Sequence, residues 1–147
     1  EVRTWHSGNE ARGMIWKKNL SDLFDLLESF EWSLKSAAYF ADLDACRLVV
    51  NVYKHGDGPS LTELAKTYPQ FLEHPLEAMR GQVGDKWFAP SYEHLKISDQ
   101  DLAAFSTAIQ EFWKDVPENV FDSQVNSAPS WLIKAIEKDN NKKEQSK

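Results

Sequence analysis

The sequence predicts an all-α protein, a bundle of four or five helices with an irregular loop segment around residues 74–97. Three observations carry that expectation. No Gly or Pro stands between Gly13 and Gly56, so no residue there breaks a helix. Within that stretch Leu23, Leu27, Phe30, Leu34, Ala37, Ala41, Ala45, Leu48 and Val52 recur at steps of three and four, the period of one helix face. A second face, Leu102, Phe105, Ile109, Phe112 and Trp113, opens behind Ser98 and closes before Pro117, both of them helix boundary signals.

Taken in order, Asn19 with Asp22 three residues on caps the start of the first stripe, and Gly56 can turn left-handed just past its end. One helix over the whole stretch would be about 60 Å long, against roughly 38 Å for a compact domain of this length. A break is therefore expected between Ser33 and Asp44, with Ser36 or Asp42 capping the second half of an antiparallel hairpin. Gly56-Asp57-Gly58-Pro59 reads as a turn, and Ser60-Leu61-Thr62-Glu63 as a capping box opening a short helix that ends before Pro69. Tyr68, Phe71 and Leu72 are expected to fasten this connection to the core. From His74 to Ile97, Pro75, Gly81, Gly84 and Pro90 interrupt any long element, leaving room for a small extended piece near Trp87. Ser98 with Asp101 caps the next helix. Ser127 and Pro129 open the last, which carries Trp131, Leu132, Ala135 and Ile136. Residues 1–138 are expected to form a single helical domain, with Trp5 and Trp16 docking its N-terminal segment, and 139–147 a disordered polar tail.

Composition narrows the function. A hydrophobic share of 41% and an aromatic share of 12% exclude a disordered chain, and apolar runs of only a few residues exclude a membrane span. The single Cys46 offers no disulfide framework and suits a reducing cytoplasm. Net charge is −6, and the last ten residues carry four Lys against two acids, so the remaining body stands near −8. Phosphate neutralisation supplies most non-specific nucleic-acid affinity, so no DNA binding is expected. Gly56-Asp57-Gly58 lacks the lysine of a phosphate loop, no Ser forms a nucleophile elbow, and no cofactor is expected. Glu73-His74 and Glu93-His94 match no ligand spacing, so no metal is expected either.

Arg47, Asn51 and His55 are spaced i, i+4 and i+8 beside apolar Leu48, Val49, Val50, Val52 and Tyr53. On a helix they form one polar stripe along a seam, where polar groups need partners or a task. The segment Arg47 to Pro59 resembles the HEPN superfamily, helical domains of toxins and phage-defence nucleases. That resemblance implies a metal-independent ribonuclease in which His55 is the general acid or base and Arg47 stabilises phosphate charge. It implies that Asn51 orients phosphate or His55, and that two copies face each other across a groove. Seven residues separate Arg47 from His55 where the family has four to six, and Leu48 replaces a polar residue. An alternative alignment sets Asn51 in the arginine's place and is catalytically degenerate.

A structural reading accounts for the same residues. Asp44 stands three residues from Arg47 and can pair with it, and Lys54 and His55 lie in the last turn, where cations suit the helix dipole. Trp87, Phe88 and Tyr92 are binding candidates in the irregular segment, or else fold back to close the core. The expected role is a non-enzymatic accessory or interaction domain with a protein partner or self-association, RNA entering only with the ribonuclease alternative.

Overall fold

The Asn19 side chain accepts a hydrogen bond from the Asp22 amide at 2.8 Å, so the predicted cap opens a helix. The protein is described here by a computed structural model for residues 9–30, 32–76, 79, 89–117 and 128–145. It is all-α, with six α-helices and no strand among the described residues. These are α1 (Asn9–Ile15), α2 (Leu20–Glu28), α3 (Phe40–His55), α4 (Pro59–Thr67), α5 (Asp99–Asp115) and α6 (Ser130–Gln145). Short 3-10 turns lie at Leu34–Ser36, Pro69–Phe71 and Tyr92–His94. α1 is the helix that the sequence reading leaves out.

Where one domain was expected, the chain forms two compact units, the first built from residues up to Ala37 and from Pro117 onward, the second from Ala38–Val116. The long apolar stripe breaks earlier than expected. α2 ends at Glu28, and Ser29 donates its hydroxyl to the Leu26 carbonyl at 2.6 Å. Neither Ser36 nor Asp42 caps the following helix; Tyr39 precedes it without a side-chain cap. The two halves of the expected hairpin fall in different units. One stripe therefore serves two cores, Leu26 lining the first and Ala45, Leu48 and Val52 the second.

In the first unit α1 and α6 pack through Ala11, Leu132 and Ala135, with Leu26 of α2 in the same buried cluster. The cluster's register is set by a charge. Asp139, only 5% exposed, accepts the Glu10 and Ala11 amides at 3.0 Å each. It satisfies orphan donors at the start of α1 with a carboxylate from 128 residues away, where the helix dipole favours negative charge. Lys142 and Lys138 bond the two Glu10 oxygens at 2.6 and 3.0 Å. Those bonds, Lys142's foremost, hold the Glu10 carboxyl below its ordinary pKa. Residues 139–145 are thus the end of a docked helix rather than a disordered tail. Trp16, expected to dock the N-terminal segment, is 78% exposed. Trp131 instead lies under the Lys18 ammonium, 5.0 Å from its ring centre. Trp5 and Ser127 lie outside the described residues.

In the second unit α3 is central. Ala45, Leu48, Val49 and Val52 bury against Leu61 and Leu64 of α4, Phe71 and Phe105, with Tyr68, Leu72 and Cys46 at the margin. Gly56 closes α3 at φ 69°, as its left-handed role requires. The predicted capping box at Ser60 does not form. α4 starts two residues earlier, at Pro59 after Gly58, because proline's fixed φ already suits the first helical position. Past Pro69, Leu72 and Leu95 form an antiparallel bridge through Glu73 N–H to His94 O (2.8 Å) and Lys96 N–H to Phe71 O (2.9 Å). Ser98 and Asp101 form the predicted reciprocal cap. Tyr39 Oη donates to Asp115 at 2.6 Å, so α3 begins beside the end of α5. The inner face of α5 is narrower than expected: Phe105 and Ala108 are buried, but Leu102, Ile109 and Trp113 are 56, 40 and 68% exposed.

Two measurements check this account. Asp139→Ala should lower the free energy of urea unfolding by about 2 kcal/mol, and Asp139→Asn, which keeps one acceptor oxygen, by less. The bonds from Ser98 hold Asp101 below the ordinary aspartate pKa, so its stabilisation is present above about pH 3.9 and lost as pH falls through the lower folded value. Amide exchange in the first turn of α5 should rise over that acidic range, and Asp101→Asn should abolish the dependence.

Candidate functional site

Helix spacing places Arg47, Asn51 and His55 along one flank of α3, and the fold gives them different surroundings. Arg47 sits in the seam between α3 and α4, its side chain 10% exposed. Its Nε and Nη2 approach Asp44 Oδ1 at 2.8 and 2.7 Å, and Nη2 reaches Glu63 Oε1 at 3.0 Å. Tyr68 Oη donates to the other Asp44 oxygen at 3.2 Å. Burial works against the Arg47 charge, but Asp44 and then Glu63 outweigh it and hold the guanidinium above its ordinary pKa. The Tyr68 phenol is pushed up to about 12, first by burial and then by the charge of Asp44. The pairing with Asp44 expected from the three-residue spacing is present, and Glu63 adds a second anion that spacing did not show.

Asn51 is half-buried one turn on, and His55 is exposed in the last turn. A phosphate at Arg47 would compete with two carboxylates for a group whose Nε and Nη2 already face them. The arrangement therefore works as an ionic clasp between α3 and α4, with His55 at the far end of the same flank.

Of the loop aromatics, Trp87 and Phe88 lie outside the described residues. Tyr92 is half-exposed; its amide donates to Asp57 Oδ1 at 2.8 Å, and its ring lies where a Cβ on Gly56 would meet it at 3.6 Å. The structure thus brings Tyr92 to the turn following His55, while Arg47 stays with Asp44 and Glu63.

The two histidines of the Glu-His pairs come together. The His74 and His94 rings meet edge to face, centroids 4.5 Å apart. Leu76 N–H donates to His74 Nδ1 at 3.1 Å and Ser91 N–H to His94 Nδ1 at 3.3 Å. Among the described residues no group of three or more His, Cys, Asp or Glu is gathered for a metal ion. Cys46 packs at the core margin, and burial pushes its thiol pKa up, away from nucleophilic activation.

The apolar face expected of α5 is divided: Leu102, Ile109 and Trp113 share one exposed stripe beside the buried Phe105 and Ala108. The signal was in the pattern, because Leu102, Ser106, Ile109, Trp113 and Val116 repeat at four, three, four and three, a seam of its own. Phe112 meets the Trp113 ring at 5.4 Å.

Arg47→Ala should cost roughly 2 kcal/mol in denaturant unfolding, since it leaves Asp44 part-buried without its cation. His55→Ala, at an exposed position, should stay within about 0.5 kcal/mol of wild type.

No helix among the described residues is long and apolar enough to cross a membrane. Comparison with protein-family models, curated proteins and solved structures finds no match to this chain.

Proposed function

We propose that the chain is a non-enzymatic helical interaction module that binds a protein partner in the cytoplasm. The observation that carries this reading is the exposed apolar stripe Leu102, Ile109 and Trp113 on α5. A helix face that leaves three large side chains in water side by side costs solubility unless something covers it, and such faces mark protein contacts. The free Cys46 is in keeping with a reducing compartment. The ribonuclease alternative asks Arg47 to give up Asp44 and Glu63 in favour of a phosphate. It also draws RNA to a body whose charge repels it.

The test is incubation of the folded chain with single-stranded RNA in chelator, beside His55→Ala and Arg47→Ala. Intact RNA in all three samples is the expected result. Cleavage by wild type that both substitutions remove would overturn the proposal and establish a metal-independent ribonuclease of HEPN type, with RNA as its partner.

A further inference from the structure

We draw no further inference here: the strongest candidate, the exposed apolar face of α5 formed by Leu102, Ile109 and Trp113, already carries the proposed function, and nothing in the structure shows what covers it.

Discussion

Everything in residues 38–116 depends on how α3 is buried. Its inner face, Ala45, Leu48, Val49 and Val52, meets α4 on one side and Phe105 of α5 on another, and at this helix's C-terminal end the chain must reverse at once to bring α4 back. Gly56 makes that reversal in the left-handed conformation, and Pro59 starts α4 without needing a side-chain cap. With two faces taken up by apolar contact, the polar residues of α3 are left to the seams and the outer surface. Arg47 falls in the α3–α4 seam, where a lone guanidinium would be costly. Asp44, Glu63 and the Tyr68 hydroxyl supply the partners that make its burial tolerable.

This accounts for the division between structural and functional candidates. A polar stripe at i, i+4 and i+8 marks a helix flank, but whether that flank faces a substrate or a neighbouring helix depends on what packs beside it. Here α4 brings Glu63 to Arg47. The stripe is consequently split, with its first residue committed to holding two helices together and its last, His55, exposed beyond the end of the seam. The same logic explains the histidines. Glu73-His74 and Glu93-His94 are adjacent pairs with no ligand spacing, yet the bridge between Leu72 and Leu95 draws their two segments side by side and sets the rings edge to face. Backbone amides then occupy Nδ1 of each.

The first unit uses a different device for a similar end. α1 is short, seven residues, and a helix of that length has little intrinsic stability. It persists by burying Ala11 with Leu132 and Ala135 and by giving its first amides to Asp139. The two lysines that flank Asp139 in sequence at one-turn spacing, Lys138 and Lys142, reach Glu10. A segment that reads as a polar tail is thereby an ordered helix, because its charges have partners that lie at the other end of the chain.

The sequence by itself determined the helical class and several helix ends. Asn19, Gly56, Pro69, Ser98 with Asp101, and Pro117 act through the backbone of their own few residues, so their effect is readable locally. It also determined that Asp44 would find Arg47, since both sit on one helix three residues apart. Tertiary structure alone decided which stripe residues belong to which core, that Glu63 joins Arg47, that Asp139 caps α1, and that Leu102, Ile109 and Trp113 stay outside. The physical reason is the same in each case. Periodicity reports that a helix has an apolar side, but how wide an arc is covered, and which distant carboxylate reaches a buried cation or an orphan amide, is set by neighbours that local pattern does not contain.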